Sequence, residues 1–464
     1  MVESRTIPGP APIKGLFALL NLTSSFRNDA LGTVQEFVDT YGDFVGIEIM
    51  GQKQFITTNA EVIRETLVTQ ADKFIKDVGY TDKKKGLARF FGNGLLTSDG
   101  EFWKRQRKLV APALHTKRIE AYAEAMVDFT TARINGWRDN VRLDISREMN
   151  AITMQIVAKT LFNTTMNGDL SRFGEAMGAV QELMTTGQFS LLPTWVPTPL
   201  ELRGRKAKRI LDEFVDRVIN EWRVTGEDKG DLLSMLLMAE DEDGNHMTDQ
   251  QARDEVLTLF LAGHETTANT LNWTWMLLAQ NPEIEAKLHA ELDTVLQGRT
   301  PTLMDLRQLP YTEMVIKESM RLYPPAWSFS RENTEDLIVH GYPIPKGSNV
   351  VISAYGTHRN PAYWEQPDTF IPERFSKERE DSIHKYSYIP FGGGPRVCIG
   401  FSFAMMETQL LLATMAQRYR LRLEPGQMVE KAAMITLFPK NGLPMTIQQR
   451  EPVKQAVTPE KMLV

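Results

Sequence analysis

From Asp249 to Gln280 runs a stretch of about thirty residues with few internal breakers, apolar on most sides and densest through Val256-Leu257-Thr258-Leu259-Phe260-Leu261-Ala262. An average helix in a globular protein has about three turns. A span this long and this apolar predicts a helix through the interior, and the rest of the chain must wrap it. Helical spacing also predicts Arg118–Trp137, Met149–Leu161, Leu170–Thr186, Gly204–Val224, Pro282–Leu296 and Thr312–Leu322. Strand signals are fewer. Phe44–Thr58 reads as a hairpin turning at Gly51-Gln52-Lys53, and Leu337–Val339, Tyr342–Ile344 and Asn349–Ser353 are short runs broken by His340-Gly341 and Pro345-Lys346-Gly347. The expected fold is mainly α with a small β-rich subdomain built from residues 44–58 and 337–353. No low-complexity linker divides the 464 residues, so one domain over 1–464 is expected, with 451–464 as a tail.

Composition narrows the function. With 42% hydrophobic and 24% charged residues the chain is neither disordered nor fibrous, and it can bury a large core around a ligand cavity. A formal charge of −6 with no basic stripe excludes nucleic acid as the expected partner. A single cysteine allows no internal disulfide and suits a reducing cytoplasm. Ile13–Leu22 is about half the length of a membrane span, and the first residues lack a signal-peptide pattern.

That cysteine stands in Phe391-Gly-Gly-Gly-Pro-Arg-Val-Cys-Ile-Gly400, just before the apolar helix expected over Phe401–Tyr419. Three glycines and a proline make neither helix nor strand; they suit a tight turn whose backbone approaches a bulky ligand. Cys398 at the mouth of a helix is placed to be a thiolate and an iron ligand, with Arg396 near enough to hold an anion. Within the long helix, Ala262-Gly263-His264-Glu265-Thr266-Thr267 sets glycine, an acid and two hydroxyls in apolar surroundings. A local helix distortion with polar groups lining a gap is one expectation; a kink with Thr266 bonded back to a carbonyl is the other. His264, turned about 100° from Glu265, is expected to be a satisfied histidine. Glu318 and Arg321 are spaced to pair on one helix, as are Trp103 and Arg107, the latter on a helix that reads equally well as a solvated basic face.

Phe391, Gly394, Arg396, Cys398 and Gly400 match every fixed position of the haem-binding signature of the cytochrome P-450 family, which the chain resembles along most of its length. The resemblance implies a P-450 fold holding haem b, with Cys398 as metal ligand and Phe391, Gly400 and Ala262 against the cofactor. It implies that Trp103, Arg107, Arg331 and Arg396 hold the propionates, that Glu265 and Thr266 are the catalytic proton relay, and that Glu318, Arg321 and Arg374 form a structural ion network. Substrate contacts would come from Phe90, Phe91 and Leu95 of the 89–96 loop, from Ala326 and Phe329, and from Leu437. The implied reaction inserts one oxygen atom of O2 into a C–H bond of a hydrophobic molecule such as a fatty acid, terpenoid or steroid. No dinucleotide fingerprint or cluster of cysteines is present, so NAD(P)H would act indirectly, through a ferredoxin- or flavodoxin-type donor and its reductase. Lys104, Arg105 and Lys108 would face that donor. Gln188–Leu200 would be a lid, and the expected enzyme is a monomer like the soluble bacterial members. A peroxygenase or isomerase and a non-catalytic haem protein are the alternatives, and the intact Glu265–Thr266 pair argues against both.

Overall fold

Asp249–Gln280 is a single α-helix of 32 residues in the computed structural model, which describes residues 6–164, 166, 170–187, 193–227, 230–241 and 244–451. Its start is fixed by a capping box, in which Thr248 accepts from the Gln251 backbone and Gln251 returns a bond to Thr248. Trp273 and Trp275 are fully buried on it; Trp273 stacks on Tyr323 at 4.5 Å and donates to Leu437 O at 3.0 Å. Around this central helix pack Ile145–Phe162, Pro310–Leu322 and Phe401–Ala416, while the antiparallel-packed pair Leu170–Gly187 and Pro199–Thr225 covers its first half.

No 3-10 or π turn interrupts the helix at Gly263, which lies within a continuous α-helical run. A Cβ on Gly263 would meet Val157 Cγ2 at 3.0 Å, so this glycine serves the close approach of Ile145–Phe162. Thr266 Oγ1 does donate back to Ala262 O at 2.8 Å.

The β part is more dispersed than expected. Phe44–Ile49 and Gln52–Thr57 form the anticipated hairpin, and Asn349–Ser353 joins it in parallel beside Gln52–Thr57. Ser328–Asn333 then pairs antiparallel with Asn349–Ser353, setting Arg331 opposite Val350, and Phe74–Ile75 closes the five-stranded sheet. Leu337–Val339 and Tyr342–Ile344 pair only with each other, because His340 and Gly341 both take positive φ and turn the chain tightly. A three-stranded sheet, Arg142–Asp144, Pro444–Gln449 and Tyr419–Arg422, and the small hairpin Lys431–Ala433/Leu437–Pro439 complete the set.

Helix limits differ from expectation in physically readable ways. Arg118–Trp137 divides into Thr116–Ile119, a 3-10 turn and Ala123–Ile134. The helix after Cys398 ends at Ala416, since Tyr419 is already strand. Pro199 starts the helix expected from Gly204, five residues earlier, behind the Thr198 cap. Of the expected lid, 188–192 lie outside the described residues, as do 452–464 of the tail.

Candidate active site

The cysteine loop is built by backbone constraints. Gly392 and Gly394 take φ of 72° and 66°, and a Cβ on Gly394 would run into Leu67 O. Only glycine fits there. A 3-10 turn over Gly394–Arg396 follows, and Cys398 N donates to Phe391 O at 3.0 Å, closing the loop. Phe391 stands edge-on to Phe401 at 4.7 Å, which ties the loop to the helix. Cys398 is accessible, yet surrounding protein pushes its thiol pKa up; the Gly400 N–H and the Arg107 charge oppose that shift without overcoming it. The depression expected from the helix mouth is therefore outweighed by burial, and a metal ion is what would hold the sulfur ionised.

The four expected anion donors gather beside this loop. Arg396 lies over the Trp103 ring at 4.1 Å and Arg107 at 5.8 Å, with Arg107 donating to Val397 O at 2.9 Å. Arg331 reaches the same region from its strand. Three residues the sequence did not disclose complete the cluster. Lys76 is buried with its ammonium 4.0 Å over the Tyr80 ring, and Asp77 and Asp99 stand near it. Asp99 accepts from Arg396 and from the Lys76 backbone; Asp77 accepts from Ser330. Thr97-Ser98-Asp99 before the helix Gly100–Val110 was a legible cap signal for Asp99; no pattern marked Lys76 as buried. Burial lowers the pKa of Lys76, Arg331, Arg396 and Arg107, so this cluster holds its positive charge, offset in part by Asp77 and Asp99, against a desolvation cost. A ligand that offers two carboxylates and a thiolate-seeking metal fits this donor set.

On the central helix, Ala262 is exposed and Gly263 and Thr266 are half-buried, although Leu261, His264, Glu265 and Thr267 are buried. The Thr266 hydroxyl proton is committed to Ala262 O, which leaves its oxygen as an acceptor. Glu265 does not bond to Thr266. Its Oε1 accepts from Gln181 of the covering helix and from Thr436 in the turn before Leu437–Pro439, while Oε2 is buried without a partner. Burial pushes Glu265 up to about 7, against the pull of the Thr436 and Gln181 hydrogen bonds. Asn269 donates to Thr436 Oγ1 at 3.2 Å and holds that turn. His264 is satisfied as expected: Nδ1 meets Phe260 O at 2.7 Å among Phe173 and Phe260, and burial depresses its pKa to about 4.

The expected ion network forms in full. Arg321 grips Glu318 through two bonds of 2.7 and 2.8 Å, and Arg374 adds a third at 3.3 Å. Arg321 also donates to His358 O, Pro367 O and Thr369 O, and Ile371 N donates to Glu318, so the meander after residue 358 is pinned to the helix Pro310–Leu322. Glu318 and Arg321 are wholly buried.

The substrate expectations divide. Leu95, Ala326 and Phe329 keep accessible surface, but Phe90, Phe91 and Leu437 are at most 1% exposed and belong to the core. An apolar side chain reads the same for a pocket wall and for a core. Of the three basic residues expected to face the donor, Arg105 is half-buried and binds Asp241 at 2.6 Å, whereas Lys104 and Lys108 are exposed.

The structure is a helical body threaded by one long helix, with an accessible cysteine on a glycine turn beside buried cations. The family model "Cytochrome P450" matches residues 7–445, and the chain belongs to that family and is one of its monooxygenases, for which haem is the implied cofactor. It is 38% identical over 408 residues to cyclooctatin synthase of Streptomyces melanosporofaciens, covering 86% of this chain and 87% of the relative. It is 37% identical over 429 residues to cyclooctat-9-en-7-ol 5-monooxygenase of the same organism (91% and 90%), and 33% identical over 455 residues to pentalenene oxygenase of Streptomyces avermitilis (96% and 98%). Among the described residues no helix is long and apolar enough to cross a membrane.

Proposed function

We propose that this chain is a one-domain, cytoplasmic, monomeric monooxygenase that hydroxylates a ring-containing terpenoid hydrocarbon or alcohol, drawing electrons from a separate ferredoxin- or flavodoxin-type donor reduced by NAD(P)H. The observation that carries the reading is the pairing of an accessible Cys398 on its glycine turn with a buried acid, Glu265, whose pKa lies at about 7. The relatives named for cyclooctatin, cyclooctat-9-en-7-ol and pentalenene chemistry support the substrate class.

Haem b, when bound, supplies the activation of O2 that no side chain can perform. The chain's own residues do the rest. Cys398 Sγ would ligate the iron, with the Gly400 N–H and Arg107 favouring its anionic form. Lys76, Arg107, Arg331, Arg396 and the Trp103 indole would hold the two propionates. Thr266 Oγ1, its proton committed to Ala262 O, would be free to accept a hydrogen bond. Glu265, half protonated near neutrality, would hold a proton at its carboxyl, which Gln181 and Thr436 fix in place. Leu95, Ala326 and Phe329 give an oily wall that excludes bulk water.

The test is the absorption spectrum of the dithionite-reduced protein under carbon monoxide, beside Cys398→Ala. A strongly red-shifted Soret band that vanishes in the variant is expected. A band at the shorter wavelength typical of histidine-ligated haem, or one unchanged in the variant, overturns the assignment.

A further inference from the structure

Two successive carboxylates near the start of the central helix remain outside the chemistry above. Glu255 precedes Ala262 by seven residues, about two turns and about 10 Å along the axis, so it lies on the same stripe of the helix. Asp254 Oδ2 accepts from Asn93 N at 2.7 Å, and Glu255 Oε2 accepts from Leu95 N at 3.0 Å. The loop is shaped to be held this way. Gly92 has φ of 66°, and a Cβ on it would run into the Asp254 carboxylate; a Cβ on Gly94 would run into Thr258 Oγ1. Thr97 Oγ1 closes the loop from the other side, donating to Gly92 O at 2.8 Å.

The seat is polar, buried and incompletely satisfied. Asp254 is 4% exposed and Glu255 wholly buried, and both Glu255 Oε1 and Thr258 Oγ1 lack a partner under the loop. Buried polar atoms left unpaired destabilise the seated state relative to one in which water reaches them. Arg253 bonds Asp254 at 2.7 Å and also Asp212 on Pro199–Thr225, so the seat is linked to the covering helix as well.

We propose that Asp254 and Glu255 are positioning residues that set the seat of loop 92–96, and thereby place Leu95 and Leu96 in the substrate pocket wall and govern selectivity without touching substrate. The placing of this loop at the pocket rests on the function proposed above; the clamp itself does not.

Titration follows from the same geometry. Burial pushes Glu255 up to about 8 from an ordinary 4.5; the Leu95 N–H lowers it and the Asp254 charge raises it. The charged groups around it are Asp254 and Arg253 on its own helix, Asp212 on the covering helix, and Arg89, paired with Glu201, on the flank of the loop. A carboxyl whose pKa is raised in the seated state favours that state fully below about 4.5. The preference is lost as pH rises through about 8, tenfold per pH unit in between.

The deciding measurement is hydrogen–deuterium exchange across residues 90–98 of the haem-loaded enzyme, from pH 6 to 9, for wild type, Glu255→Ala and Glu255→Gln. Glu255→Ala should speed exchange at Leu95 on the order of tenfold, the worth of one buried hydrogen bond. Glu255→Gln offers the same acceptor and cannot ionise, so it should stay within about twofold of wild type at pH 6 and lose the excess acceleration at high pH. Equal exchange at Leu95 in wild type and Glu255→Ala overturns the clamp, and so does faster exchange spread along the whole central helix in both variants. Spin-shift titration with a panel of cyclic terpene hydrocarbons and straight-chain fatty acids reads selectivity: the rank order should change in Glu255→Ala and return in Glu255→Gln. An unchanged order refutes the selectivity role. A wild-type order headed by fatty acids refutes the terpenoid reading and leaves the clamp standing.

Discussion

Thr436→Val tests what sets the pKa of Glu265. Thr436 is buried in the turn before Leu437, and its hydroxyl bonds Glu265 Oε1, the same oxygen that Gln181 reaches. Valine keeps the shape and removes the bond. A hydrogen bond to a charged group is worth about 1.5–3 kcal/mol, which at about 1.4 kcal/mol per unit raises the pKa by about one to two units. Starting from about 7, Glu265 in the variant should titrate at about 8–9. At pH 7.5 its ionised fraction then falls from about three-quarters to about a quarter or less. The protonated carboxyl is the form that delivers protons. The ratio of product formed to NAD(P)H consumed should therefore decline as pH rises through about 7 in wild type, and about one to two units higher in Thr436→Val. Glu265→Gln should be poorly coupled at every pH. A decline that moves by less than about 0.3 unit, or moves downward, would refute the assignment of this limb to Glu265. The same shift has a stability sign: with a folded pKa above the ordinary 4.5, Glu265 favours the fold fully below about 4.5, and that contribution is lost as pH rises through about 7.

Glu318→Gln leaves the wholly buried Arg321 without its counter-charge, a loss of about 3–5 kcal/mol for a broken buried pair. With unfolding entropy of about 2.1 cal/mol/K per residue over 464 residues, Tm should fall by about 3–5 °C; calorimetry that finds less than about 1 °C would show the network to be dispensable. Gly394→Ala places a methyl group against Leu67 O at φ 66° and should strip haem from the purified protein. Gly51→Ala, also at positive φ but with nothing within 4 Å, should retain it, and equal haem content in the two variants would count against the loop argument.

How far the sequence could be read depended on where each residue's partners lie. The limits of Asp249–Gln280 and Pro282–Leu296 were legible because Thr248 and Pro282 announce them locally. Cys398 was legible because its glycines and proline exclude regular structure around it. The strands Phe74–Ile75 and Arg142–Asp144 were not: two or three residues carry no periodicity, and what makes Arg142–Asp144 a strand is Pro444–Thr446, some three hundred residues later. Glu265 was marked by its chemistry, yet its partners Gln181 and Thr436 lie 84 and 171 residues away on separate elements. Phe90, Phe91 and Leu437, which the resemblance implies at the pocket, lie buried among core side chains, and side-chain type alone does not separate the two.

Lys76 shows why a local reading runs out at the point where the chemistry becomes collective. In sequence it is one lysine among many, and most lysines are exposed. In the fold it is buried near Arg331 and Arg396, which oppose its charge, and near Asp77 and Asp99, which offset part of that repulsion. Such a cluster is self-repelling, and its desolvation opposes folding until anions enter it. Binding of a ligand with two carboxylates then stabilises the folded state in proportion to the logarithm of its occupancy ratio. The donors proposed to orient the cofactor are thus the same groups whose repulsion its carboxylates would relieve, which would tie haem retention to the stability of this cluster.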